Sequence, residues 1–206
     1  MFAGGTDTAT TTMEWAMAEM MKNPSVMEKA QAEIRQVLKG KTTVHETDIQ
    51  GMSYLKLVIK ETLRLHPPLP LIVPRECREP CVIDGYEIPR KTRVFVNAWA
   101  IGRDPMFWGT DAESFNPERF IDSSVDYKGT HFEYLPFGAG RRSCPGMSLG
   151  LANVEIALSQ LLYHFDWNLP ARMKPENLDM TELFGATVGR KYDLYLTAVP
   201  FMPVEE

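Results

Sequence analysis

The segment Phe137-Gly-Ala-Gly-Arg-Arg-Ser-Cys-Pro-Gly146 holds the residues of this chain best suited to chemistry. A cysteine thiolate is a nucleophile and a soft metal ligand. Glycines beside it let the backbone turn tightly and approach a flat ligand closely. Cys144 also stands just before a long apolar run, and a helix starting there presents an N-terminal end that favours negative charge. A glycine-rich turn with a free cysteine is the plain alternative. A second constellation is Glu61 and Arg64, three apart on a helical stretch and close enough to bond, although such pairs decorate many solvated helices. A third is Gly4-Gly5-Thr6-Asp7-Thr8, where an acid and a hydroxyl follow two residues without bulk. Groups of that kind relay protons, and they also commonly start helices. Cys77 and Cys81 lack a companion Cys/His pair, so a zinc site is not expected there. His45, His66, His131 and His164 show no ligand spacing.

Phe137, Gly140, Arg142, Cys144 and Gly146 agree with the haem-binding signature Phe-x-x-Gly-x-Arg-x-Cys-x-Gly. At roughly 5% usage per residue type, five such positions arise by chance with a probability on the order of 10⁻⁴. On these residues the chain resembles the cytochrome P-450 superfamily of haem-thiolate monooxygenases. The resemblance implies haem b as cofactor and Cys144 as the axial thiolate on its iron, a ligand that favours O–O cleavage. It implies Arg142 as a partner of a haem propionate, where a guanidinium fork suits a carboxylate. Phe137 is then expected to pack on the proximal side, and Arg75 to serve as a second propionate partner.

Three further motifs extend the likeness. Phe115-Asn-Pro-Glu-Arg-Phe120 supplies Arg119, and the resemblance implies a buried structural triad of Glu61, Arg64 and Arg119. Gly4 to Thr8 resembles the (Ala/Gly)-Gly-x-(Asp/Glu)-Thr oxygen-activation motif, which implies Thr8 as hydrogen-bond donor and Asp7 as proton-relay acid. Leu65-His66-Pro67-Pro68 and Val73-Pro74-Arg75 match plant members. The implied substrate pocket is Leu69, Leu71, Ile72 and Val73, joined by Phe184 and Ala186 from a later turn, with plain core packing as the alternative.

In such an enzyme, NADPH supplies electrons through a flavoprotein reductase, and one atom of O2 enters a hydrophobic small molecule. Glu19-Met20-Met21-Lys22-Asn23-Pro24 and Leu162-Tyr163-His164-Phe165-Asp166-Trp167 resemble plant terpenoid hydroxylases of specialised metabolism. Full chains of the family are more than twice as long. Residues 1–206 are therefore read as the C-terminal portion of a single cytochrome P-450 domain, without the anchor and the helices that roof the pocket. The full-length member is expected on the cytosolic face of the endoplasmic reticulum membrane. The alternative is a truncated, non-catalytic haem-binding fragment.

These residues need a scaffold, and 206 residues with 44% apolar content suffice for a core. Lys and Arg number 22 against 27 Asp and Glu, a net charge of −5, which gives no reason to expect a nucleic-acid partner. Three cysteines are too few for a disulfide scaffold and point to a reducing compartment. The first residues contain neither a basic n-region nor an apolar h-region, so no signal or transit peptide is expected. Charges or prolines interrupt every apolar stretch before the ~18 residues of a membrane span.

Helices are expected over Thr6–Lys22, from Asn23-Pro24 to Leu38 with Asn23 as cap and Gly40 as terminator, and over Ser53–Leu65. Pro67 to Pro74 reads as extended backbone, Val82–Ile88 as a hairpin turning at Asp84-Gly85, and Thr92–Ala98 as a strand. Residues 104–136 form an irregular stretch of a length that is usually functional. A helix from Gly146 to about Phe165 is apolar nearly all round and is expected to be buried, and Leu194 and Leu196 fall in a last strand. Twelve methionines are read as core fillers. The fold class is mainly α with small β-sheets.

Overall fold

A computed structural model describes residues 2–170 and 173–202. Helix α1 spans Phe2–Lys22, four residues earlier than the pattern from Thr6 suggests. Gly4 and Gly5 therefore lie inside a helix, and Asp7 and Thr8 do not cap one. Helix α2 spans Pro24–Val37, with proline in its first turn. Asn23 makes no side-chain cap on α2, contrary to expectation; its amide instead donates to the Glu19 carbonyl and carboxylate. The chain leaves α2 through Gly40, whose φ of +77° is the left-handed geometry of a helix stop. After a 3-10 turn at Asp48–Gly51, helix α3 covers Ser53–Leu65, as its spacing predicts.

Short elements follow. Strand β1 is Arg75–Glu76, and β2 (Cys81–Ile83) and β3 (Tyr86–Ile88) form the expected hairpin. Asp84 and Gly85 both have positive φ, +49° and +80°, as a type I′ turn demands. Strand β4 is only Arg93–Val94, paired antiparallel to β1, because Asn97 accepts from the Ala100 amide and starts helix α4, Ala98–Ile101. Helix α5, Pro105–Trp108, is one turn. Helix α6 runs Met147–His164 and continues into β5, Phe165–Asn168. Strands β6 (Glu182–Leu183) and β7 (Gly189–Arg190) pair with each other. Strand β8 (Thr197–Pro200) pairs with β5. Leu194 and Leu196 thus precede the last strand, half-buried, where the sequence pattern places them inside it.

The core lies where α1, α2, α3 and α6 meet. Trp15, Met20, Ile34, Leu38, Leu55, Ile59, Leu158 and Leu162 are fully buried there. Met17, Met21, Met27 and Met52 fill the spaces between them. Helix α6 corrects one expectation. Leu151, Val154, Leu158 and Leu162 form a buried stripe, whereas Leu149 at its start is 68% exposed. Met147, Ile156 and Tyr163 are only partly buried against the same core.

Candidate functional site

Glu61 and Arg64 follow from α3, where a separation of three residues puts both on the inward face. They are 0% and 1% exposed. The guanidinium grips the carboxylate with two bonds, Nε to Oε2 and Nη2 to Oε1, each 2.7 Å. The other three N–H groups of Arg64 donate to the carbonyls of Gly102, Ala112 and Ser114 at 2.5, 2.6 and 3.1 Å. All five donors of the side chain are thereby used. Arg119, from the 3-10 turn Pro117–Phe120, adds a 2.9 Å bond from Nε to Glu61 Oε1, and the Asn116 amide donates to the same oxygen at 2.9 Å. Burial alone would lower the Arg119 pKa, but the charge and hydrogen bonds of Glu61 raise it overall. The irregular stretch 104–136 is thus the segment whose backbone closes around this node.

Two residues here escape a reading by motif. Gly102 needs to be glycine, since a Cβ would stand 2.4 Å from the Arg64 carbonyl oxygen. Trp108 lies beneath Arg64, with the guanidinium carbon 5.1 Å from its ring centre. From Trp108 a chain of ring contacts runs through Phe120, Tyr134 and Tyr127 to Phe137, with centroid separations of 5.5–6.5 Å. The triad is therefore coupled by packing to the start of the cysteine loop.

That loop is closed by the Cys144 amide, which donates to the Phe137 carbonyl at 2.9 Å. Gly138 and Gly140 both have φ near +69°, a conformation open to glycine at little cost. Gly146 has an ordinary φ of −97°, and a Cβ there would meet the Cys144 sulfur only at an ordinary contact distance of 4.0 Å. Cys144 is exposed, three residues before α6. The Arg75 side chain reaches the loop, its Nη2 lying 3.5 Å from the Arg142 carbonyl.

The stretch Pro67–Pro74 turns where extended backbone is expected. The Ile72 amide donates to the Leu69 carbonyl at 3.0 Å, and Ile72 has φ +51°. A β-branched residue in that region is strained by about 1–3 kcal/mol, and such outliers cluster at functional sites. A Cβ on Gly138 would meet Ile72 Cγ2 at 3.7 Å, so this turn lies against the cysteine loop. The Val188 amide donates to the Pro68 carbonyl at 3.1 Å, bringing in the turn between β6 and β7. Thr187 Oγ1 in turn donates to Asp7 Oδ2 at 2.6 Å. Thr8 Oγ1 donates into its own helix, to the Gly4 carbonyl at 2.6 Å. Contacts thus lead from α1 to the Cys144 loop through the turn between β6 and β7 and the stretch Pro67–Pro74. Val73 and Phe184 are 61% and 79% exposed along this path, and Ala186 is exposed too. Leu69, Leu71 and Ile72 are half-buried.

His66, which spacing marks as ordinary, is the least expected member of this region. Its ring stacks on Trp15 at 3.9 Å, with Nε2 2.8 Å from Glu19 Oε1 and Nδ1 3.4 Å from Glu182 Oε1. Trp15 Nε1 donates to the Val188 carbonyl at 3.0 Å. Glu182 also accepts from Trp99 Nε1 and lies 3.6 Å from Arg103. Burial pushes the Glu182 carboxyl up, but His66, Trp99 and the Arg103 charge together hold it below its ordinary value. A depressed carboxyl stabilises the fold above the unfolded value of about 4.3, and that contribution is lost as pH falls through the lower folded value. Thermal unfolding of Glu182→Gln is therefore expected below wild type at neutral pH, with the gap closing in acid below about pH 4. A gap independent of pH would refute this assignment.

Comparison with known proteins decides the family. A family model, "Cytochrome P450", matches residues 1–194. The chain belongs to the cytochrome P450 family. It is 64% identical over 203 residues to cytochrome P450 71D445 of Euphorbia lathyris, covering 98% of this chain and 40% of that protein. It is 63% identical to 5-epiaristolochene 1,3-dihydroxylase of Nicotiana tabacum and 61% to premnaspirodiene oxygenase of Hyoscyamus muticus, covering all of this chain and 41% of each. A zebrafish cytochrome P450 solved with progesterone superposes with a TM-score of 0.84 at 31% identity, over 97% of this chain and 44% of that one. The chain thus spans about 40% of the length of these plant relatives.

The residues of this P450 fit a haem. Among the described residues no group of three or more His, Cys, Asp or Glu could hold a metal ion. A single exposed thiol such as Cys144 suits an iron whose in-plane ligands come with a macrocycle. The Cys144 thiol is exposed, and Arg75 on β1 reaches the loop that carries Arg142, two guanidiniums whose forks suit carboxylates. Among the described residues no helix is long and apolar enough to cross a membrane.

Proposed function

We propose that the protein is a haem-thiolate monooxygenase that inserts one atom of O2 into an apolar polycyclic plant metabolite, with a terpenoid as the favoured class. The observation that carries this reading is the contact path joining Asp7, Thr187, Pro68, Ile72 and the Cys144 loop. The terpenoid choice is supported by the relatives named as oxygenases of premnaspirodiene and 5-epiaristolochene. A relative named desmethyl-deoxy-podophyllotoxin synthase, 66% identical over 196 residues, keeps the substrate class open to other apolar polycyclics. Electrons come from NADPH through a flavoprotein reductase, on the cytosolic face of the endoplasmic reticulum membrane.

Cys144 would hold the haem iron through its thiolate, and the haem, when bound, would supply O2 activation. Arg75 and Arg142 would pair with its propionates, and Gly140, at φ +69°, lets the loop turn ahead of the sulfur. Val73 and Phe184 offer apolar surface to the substrate. Asp7 carries a proton in from solvent, and Thr8 Oγ1 passes it on once its hydroxyl turns from the Gly4 carbonyl, since a hydroxyl accepts and donates at once. Thr187 aims the Asp7 carboxylate through its 2.6 Å bond.

Thr187→Val should therefore release Asp7 and divert reducing equivalents from product to peroxide. A lost hydrogen bond to a charged group, at about 1.5–3 kcal/mol, predicts a fall in product per NADPH on the order of tenfold, with Thr187→Ser restoring it. Unchanged coupling in Thr187→Val would remove that role. The reading as a whole is tested by turnover with reductase, NADPH, heavy-isotope O2 and a sesquiterpene hydrocarbon. One labelled oxygen in the product supports it. Haem uptake with thiolate ligation but no product from any apolar polycycle favours the non-catalytic haem-binding alternative.

A further inference from the structure

The two cysteines outside the haem loop are close neighbours. Cys77 follows β1, Cys81 opens β2, and their Sγ atoms are 3.8 Å apart. Each is held by backbone bonding to one end of the same segment. The Cys77 amide donates to the Thr92 carbonyl at 2.9 Å, and its carbonyl accepts from the Lys91 amide at 2.8 Å. Cys81 faces Ile88 in the register of β2 with β3. Only Arg78, Glu79 and Pro80 separate the two in sequence. Cys81 is exposed and Cys77 half-buried. Partial burial and the adjacent Cys81 thiol hold the Cys77 thiol above its ordinary value, and its S–H donates to the Glu79 carbonyl at 2.8 Å. Neither belongs to a cluster that could hold a metal, nor has either a part in the proposed oxygen chemistry.

We propose that Cys77 and Cys81 are a reversible dithiol–disulfide pair oxidised by hydroperoxides. The open Cys81 thiolate attacks one oxygen of hydrogen peroxide, the O–O bond breaks, and hydroxide leaves and is protonated to water. Cys81 is then a sulfenic acid. Cys77 Sγ attacks Cys81 Sγ, the S–O bond breaks, and the departing hydroxide takes the Cys77 proton as a second water. Two thiols and one peroxide thus give one disulfide and two waters. The sulfurs must close from 3.8 Å to about 2.05 Å. The proposal does not depend on monooxygenase activity.

The test titrates the purified protein with hydrogen peroxide, alkylates the remaining thiols and digests with trypsin. Arg78 lies between the cysteines, so cleavage separates peptides 76–78 and 79–90 unless a disulfide joins them. The expected product is the joined pair, two hydrogens lighter than its parts, with both alkylated peptides lost and both recovered after dithiothreitol. In Cys77→Ser the joined pair disappears and Cys81 accumulates as sulfinic acid. Persistence of both alkylated peptides after the methionines have oxidised would overturn the proposal. So would linkage of either cysteine to Cys144 or to a second chain.

Discussion

Replacing Glu61 by alanine is expected to abolish haem incorporation and to lower stability by about 3–5 kcal/mol, because the buried Arg64 and the half-buried Arg119 lose their shared counter-charge. That is a large part of the roughly 5–15 kcal/mol by which a domain is stable. The node is closed on every side: Arg64 spends all five donors, and Arg119 adds bonds to the carbonyls of Trp108, Asp111 and Ser114 at 3.1–3.2 Å. Without the carboxylate, water must enter or the segment that carries Trp108 and Phe120 must move. Either disturbance passes along the aromatic chain to Phe137, whose carbonyl anchors the Cys144 amide. Haem content and thermal unfolding of Glu61→Ala check this. A normal haem spectrum from that variant would show that the loop forms without the triad.

Replacing Cys144 by serine is expected to have the opposite profile. The side chain is exposed, so unfolding should shift by no more than about 0.5 kcal/mol. The thiolate signature of the bound haem should vanish completely, since a serine hydroxyl does not ionise to a soft ligand at neutral pH. The two variants separate scaffold from ligand. Glu61→Ala should lose stability and haem together, whereas Cys144→Ser should keep the fold and lose only the thiolate signature. Equal loss of stability in both would mean that the loop is held by the cysteine itself.

The contrast matches what was legible in the chain. Helix α3 is readable to the residue because its apolar periodicity is strong and a proline pair follows. The Asp84-Gly85 turn is legible for a similar local reason, as both positions need positive φ. Motif spacing located Cys144, Glu61, Arg64 and Arg119, and the backbone geometry around them is tertiary. Nothing local marks Gly102, whose constraint comes from a carbonyl 38 positions earlier in the sequence, or His66, whose partners lie on α1 and β6.

Other readings failed where a competing bond or contact overrode the simplest local pattern. Asn23 resembles a cap for α2, yet Glu19 offers it two acceptors on the preceding helix. Proline content marks Pro67–Pro74 as extended, but the Leu69–Ile72 bond and the adjoining Gly138 fold it into a turn. Helix α6 reads as buried from its composition, and burial depends on which faces meet the core. Thr187 belongs to the same late turn as Phe184 and Ala186, and nothing in that turn marks it as a partner of Asp7. Only the fold brings it to Asp7, 180 residues away.

The measurement that bears most directly on this account is the absorption spectrum of the haem-reconstituted protein, reduced and exposed to carbon monoxide. A strongly red-shifted Soret band, absent from Cys144→Ser, is the predicted result and would establish Cys144 as a thiolate on the iron. A band of histidine or neutral-thiol ligation, or no uptake of haem at all, would contradict it.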